Sequence, residues 1–242
     1  MDEAKRFLRF VLPGLAVVLE FGLFLSILRP SQVARFLSEH MQSIGGIGTA
    51  LTLFVGSGGL GFILSSLYHS ISWGPFSGYL AINHKRMIED AVRNNSLRLI
   101  EQGTGERVQP DRISRRDAWR IATAVWHGRL GRSDRLRGAN ARTDSLTSIV
   151  HGVGTLTTGT ILVVCLSLYM HLTTPVHCSS VWVFWGLLVL LPISQSVAYW
   201  VAVGHAQRVI DMILFEELRL GGSLEWYVPL RRVSFLGWTW WH

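Results

Sequence analysis

Residues 148–171 read SIVHGVGTLTTGTILVVCLSLYMH, and after a short gap (172–180, LTTPVHCSS) the chain continues at 181–203 as VWVFWGLLVLLPISQSVAYWVAV. Neither long stretch holds an Asp, Glu, Lys or Arg. A helix crosses the roughly 30 Å hydrocarbon core of a bilayer in about 20 residues, so each is long enough to span. Their apolar residues run on without a helical or strand period, which leaves no face reserved for water. The short gap makes the pair an antiparallel hairpin.

Working outward, two earlier stretches qualify, 7–28 and 47–72. The predicted fold class is all-α: an integral membrane protein with four transmembrane helices in two antiparallel hairpins, plus a small helical cytoplasmic module. Four regions follow. Residues 1–72 form the first hairpin with a short outer surface helix, and 73–147 a basic helical cytoplasmic segment. Residues 148–203 form the second hairpin, and 204–242 a cytoplasmic helix with a Trp-rich interfacial tail. Composition agrees, with 49% hydrophobic and 16% charged residues, against about 25% charged in soluble domains. The apolar run after Lys5, Arg6 and Arg9 is too long for a signal-peptide core. It ends in Leu28-Arg29-Pro30 rather than a small-residue cleavage site, so it is expected to stay attached.

The net charge of +7 comes almost wholly from arginine, Lys5 and Lys85 being the lysines. With the amino terminus inside, twenty-one of the twenty-three Lys and Arg residues fall on the cytoplasmic side, and Arg29 and Arg35 fall outside. That asymmetry predicts a multi-pass inner (plasma) membrane protein with both termini cytoplasmic. Cys165 and Cys178 stand at different depths by spacing, which argues against a bridge; no zinc-type CxxC pair exists.

Between the spans, Val33, Phe36, Leu37 and Met41 recur at helical spacing, as in a helix lying on the outer surface. Ser77 to Gln102 reads as a helix continuing from the second span. A further helix is capped by Ser114, with Asp117 as the capping-box acid. Asp144 or Ser145 would cap the third span. The last span continues helically to about Leu220, ahead of the aromatic tail Trp226, Tyr227, Trp238, Trp240 and Trp241.

Glu20 is the intramembrane residue that draws a functional reading, because a charge at the bilayer centre costs at least about 2.5–3.5 kcal/mol. It is an ion or proton site, or else a protonated carboxyl bonded to Ser57, Thr157 or Gln195 across helices. Gly48, Gly56, Gly61, Gly152 and Gly159 stand in small-residue patterns with steps of four, which let helix backbones approach closely. Pro13 and Pro192 are kink positions. His69, His151 and His205 lie near span ends, where three imidazoles at one depth would suit zinc; the competing reading is interfacial histidines bonded to backbone or headgroups. No cofactor is expected.

Ser65-Ser66-Leu67-Tyr68-His69-Ser70 resembles a motif of the hemolysin III and progestin/adiponectin-receptor group, which are similar to metal-dependent membrane hydrolases. There a serine and a histidine one turn apart serve a metal. The resemblance covers six residues, and the chain lacks that group's seven spans, intramembrane aspartate and late HxxxH. Arg120 and His127 stand two turns apart and resemble the loose Arg-x(4–6)-His pattern of HEPN ribonucleases, which implies attack on a phosphodiester. Ile121 departs from the polar residue usual there.

The basic segment, with Arg112, Arg115, Arg116, Arg129, Arg132, Arg135 and Arg137, has three readings. Contact with acidic lipid headgroups is worth about 1 kcal/mol per residue. Phosphate contact with base stacking on Trp119 and Trp126 would suit nucleic acid or a nucleotide. The third is topological charge alone. The functional expectation is a homo-oligomeric, channel-like module that forms a pore or alters permeability, gated through this segment or a protein partner of it. An effector of a prokaryotic stress or defence pathway would fit. A membrane hydrolase or nuclease and a non-catalytic scaffold are the alternatives.

Overall fold

The computed structural model describes residues 3–40, 45–73, 82–101, 104–126, 137–173, 181–220, 224–228, 232–235 and 238–241. The chain divides into two compact units, Met1–Pro75 with Asp144–Val203, and Phe76–Thr143 with Gly204–His242.

In the first unit, α1 (Glu3–Arg6), a π-helical turn (Phe7–Val11) and α2 (Leu12–Leu28) follow one another. Pro13 has no N–H for the carbonyl four residues back, and the Leu12 N–H next to it bonds Phe7 O, five residues back. Helix α3 (Pro30–His40) takes the place of the expected surface helix, with Phe36 and Leu37 exposed. The long helices are α4 (Gly45–Trp73), α7 (Arg137–Thr173) and α8 (Val181–Leu220). Among the described residues, Phe7–Leu28, Leu51–Ser72, Ala141–Thr173 and Val181–Arg219 are long and apolar enough to cross a membrane. Helix α7 starts at Arg137, ahead of the cap expected at Asp144 or Ser145. Residues 137–147 contain no proline, and Thr143 Oγ1 donates back to Ala139 O at 2.8 Å, so the helix runs through the capping signal.

Polarity is inverted relative to a soluble bundle. On α4 the buried positions are Ser57, Gly61, Leu64, Ser65, Tyr68 and Ser72, whereas Leu51, Phe54, Val55, Phe62 and Ile63 face outward. Helix α7 likewise buries Ser148, Thr155, Thr160 and Ser167. On α8, exposed Trp182 and Trp200 are separated by about 27 Å at ~1.5 Å rise per residue. That distance is close to the hydrocarbon thickness between two indole-rich interfaces.

Glycine sets how closely α2 and α4 cross. A Cβ at Gly14 would overlap the Ser57 carbonyl, and one at Gly61 would overlap the Phe10 carbonyl. The two contacts are reciprocal and bring backbone against backbone. Gly152 meets Leu8 O of the π-turn, where a Cβ would lie 2.7 Å away, and Gly159 seats Val17 and Leu64. Val17, Phe24, Leu28, Leu64, Val163 and Phe184 then form the apolar core, with Phe24 edge-on to Phe184 at 5.8 Å.

The second unit departs from the all-α expectation. The helix anticipated over 77–102 is α5 (Lys85–Arg93), and Leu97–Glu101 is strand β1; residues 74–81 and 102–103 lie outside the described residues. Asn95 takes φ 57°, a left-handed conformation that asparagine tolerates and that ends the helix. Leu97 and Leu99 are then buried on alternate positions, the strand period. β1 pairs in parallel with β2 (Leu224–Val228), Leu97 opposite Leu224. β3 (Arg232–Phe235) pairs antiparallel with β4 (Trp238–Trp241), so the backbone of the aromatic tail is strand. The chain is predominantly helical, with these strands the exception.

Helix α6 (Arg115–Val125) begins as expected: Ser114 Oγ accepts from Asp117 N at 3.1 Å, and its hydroxyl donates to the Asp117 carboxylate. Ile88, Ala91, Ala118, Ile121 and Val125 are buried, as are Ala206, Ile210, Leu214 and Leu218 at steps of four on α8. Buried His84 donates from Nδ1 to Asp211 at 2.6 Å, and Gln207 Nε2 donates to Asn83 O at 2.8 Å.

Two outcomes follow from this packing. Gly61→Val in detergent is expected to lower the thermal midpoint by an amount equivalent to about 1–3 kcal/mol. Gly56→Val, with nothing within 4 Å, is expected to leave the midpoint nearly unchanged. Asp211→Ala removes the acceptor of a buried imidazole, costing about 1–3 kcal/mol. It should raise amide exchange across residues 85–93 while exchange across 12–28 stays as in wild type.

Candidate functional site

Two polar groups sit inside the first unit. Glu20, midway along its stretch, accepts a 2.8 Å hydrogen bond from Thr160 on α7, a fully buried threonine. None of the three partners considered from the sequence is used. Ser57 donates to Phe54 O of its own helix, and Thr157 bonds Val153 O and Gln195 O. Gln195 thus contributes its main chain to the α7–α8 contact.

The larger group gathers at the ends of the spans nearest the amino terminus. His69 Nδ1 lies 2.7 Å from Ser65 O, one turn back on α4. A carbonyl can only accept, so Nδ1 carries the proton and Nε2 presents its lone pair. Arg9, from the π-turn, donates through Nη2 to that lone pair at 3.0 Å. The His151 ring of α7 stacks on His69 at 4.5 Å and 22°. Tyr68 stands edge-on to both imidazoles, and its hydroxyl is 3.0 Å from that of Tyr199 on α8. All four spans contribute.

The cluster brings together two of the three histidines singled out from the sequence. His205 belongs to the second unit and is exposed. Among the described residues no group of three His, Cys, Asp or Glu side chains is placed to hold a metal. The lone pair His69 would offer a metal is occupied by a guanidinium. Ser65, the serine of the six-residue resemblance, serves His69 through its carbonyl.

Arg9, Tyr68 and Tyr199 were not legible as site residues. Arg9 counted as topological charge, though a cation past the start of an apolar run was a usable signal. In the second unit Arg112, Arg115 and Arg116 stand exposed at the N-terminal end of α6, and Arg120 is partly buried further along. His127, Arg129, Arg132 and Arg135, and the side chain of Arg137, lie outside the described residues. Cys165 is a free thiol, and Cys178 also lies outside.

Comparison with protein-family profiles, with curated proteins and with solved structures finds no match for this chain.

The Glu20–Thr160 bond gives a direct check. Thr160→Val should destabilise the detergent-solubilised protein by about 1–2 kcal/mol, because the carboxyl loses its donor. Glu20→Leu with Thr160→Val should recover part of that loss in a double-mutant cycle.

Proposed function

We propose that this chain is a multi-pass protein of the plasma (inner) membrane that assembles from several copies and forms a pore or alters permeability. The observation that carries the reading is the outward face of α4. Gly48, Thr52, Gly59, Ser66 and Ser70 lie along one line of the helix, opposite its buried face, and all are exposed. Among the described residues, nothing lies within 4 Å of a Cβ placed on Gly48 or Gly59. The three hydroxyls return to carbonyls of their own helix: Thr52 to Gly48 O, Ser66 to Phe62 O and Ser70 to Ser66 O. Exposed Leu51, Val55, Phe62 and Ile63 flank this row, so the face is apolar with a small-residue line along it, which suits close approach of a facing helix.

Both termini are assigned to the cytoplasm on the distribution of Lys and Arg. The segment 73–147 then faces the cytoplasm as the input. Arg112, Arg115 and Arg116 crowd the end of α6 that attracts anions, so acidic headgroups, a nucleotide or a nucleic acid are the ligand chemistry it suits. In this reading Glu20, bonded to Thr160, gives the mid-membrane polar group.

Light scattering of the purified protein in detergent should give a mass of more than one copy, and Gly59→Phe should reduce it. Liposomes containing wild type should pass ions, and Glu20→Gln should change the rate or selectivity. A monomeric protein that passes no ions defeats the reading.

A further inference from the structure

The Arg9 cluster is unbalanced, and the imbalance has a direction. Arg9 gives one N–H to His69, yet its Nε is buried and has no hydrogen-bond partner among the described residues. His151 Nδ1 is buried and unpartnered as well. Among the described residues Arg9 makes no ion pair with a carboxylate. His69 is held by Ser65 O with its lone pair toward the guanidinium, so it positions Arg9 and is not itself open to a ligand. The ring stack keeps His151 against that pair.

We propose that Arg9 and His151 bind a phosphate-type oxyanion, either a lipid headgroup phosphodiester or free phosphate. A metal cation is opposed by the guanidinium. An apolar ligand would leave both dry nitrogens unbonded. Arginine can only donate, and His151 donates when its Nδ1 carries the proton, so a group with several acceptor oxygens satisfies both residues at once. The guanidinium fork fits phosphate geometry. Location is the second argument. Arg9 opens the Phe7–Leu28 stretch, His69 closes Leu51–Ser72, and His151 falls in the early part of Ala141–Thr173. These three places share one end of the spans, the depth at which phosphodiesters lie in a bilayer. The site stands whether or not the protein conducts.

The test uses the full chain in a neutral glycoside detergent, with its thermal midpoint followed as each of two probes is titrated. The probes are sodium phosphate and dihexanoyl phosphatidylglycerol. A ligand that binds only the folded state raises the midpoint with the logarithm of its concentration once that exceeds Kd. A rise with both probes assigns the site to the oxyanion alone, and a rise only with the lipid assigns it to headgroups; either supports the proposal. Arg9→Gln should weaken the response by about tenfold or more, as loss of a charge-assisted donor pair does. His151→Ala should weaken it less, and Arg6→Gln, at an exposed neighbouring position, should leave it unchanged. Arg9→Lys keeps the charge without the Nε–H and should fall between wild type and Arg9→Gln, which guards against a Gln variant that does not fold. No rise with either probe, or equal responses in wild type and Arg9→Lys and Arg9→Gln, overturns the proposal.

Discussion

A bilayer sets one condition on any helix that crosses it: with no water available, each backbone N–H must find its carbonyl within its own helix, and the four long apolar helices of the described residues are built to meet it. A helix that meets this condition can turn Leu51, Val55 and Ile63 outward without penalty in hydrocarbon, and is then free to bury Ser57, Ser65 and Ser72. Hydroxyls inside such a bundle are held by their own helix, as Thr155 is by His151 O and Thr157 by Val153 O. With lipid as apolar as leucine, contact between helices depends on fit, and fit here depends on glycine. Gly14 and Gly61 therefore do for α2 and α4 what a leucine seam would do in water.

The same condition raises the significance of the few polar groups that remain. Glu20 has one donor, Thr160, and sits where the helices are otherwise apolar. Arg9 is attached to a turn that Pro13 has already loosened, and its carbonyl neighbour Leu8 O is in contact with Gly152. Backbone irregularity, a half-buried cation and paired imidazoles coincide at one end of the bundle. π-helical turns recur at functional sites because they reorient a side chain without breaking the helix, and here the side chain reoriented is that of Arg9.

The four long apolar helices could be read from sequence because their signal is local: each is an unbroken apolar run long enough to cross a bilayer. The existence of helix α3 and the Ser114 cap were legible for the same reason. What failed was non-local. Leu97, Leu99 and Ile100 satisfy a helical stripe and a strand equally well, and the residue that decides between them is β2, far along the chain. Asn94-Asn95 was the one local clue. The site was legible in part: depth along the helix singled out Glu20, and span ends singled out His69 and His151. Their partners were not, because Arg9 and His69 are sixty positions apart, and Tyr68 and Tyr199 are separated by more than twice that. Spacing arguments see one helix at a time.

The parallel pairing of β1 with β2 has a consequence for how the chain is made. Both helices of the second hairpin lie between the two strands, so β1 leaves the ribosome long before its partner exists. Throughout that interval it presents an open edge to whatever is nearby, including the same strand on a neighbouring nascent chain. Closure of the second unit thus waits until the two intervening long helices have been synthesised. Chains cut short before Leu224 would carry the unpaired edge permanently, which marks them for proteolysis or aggregation rather than assembly.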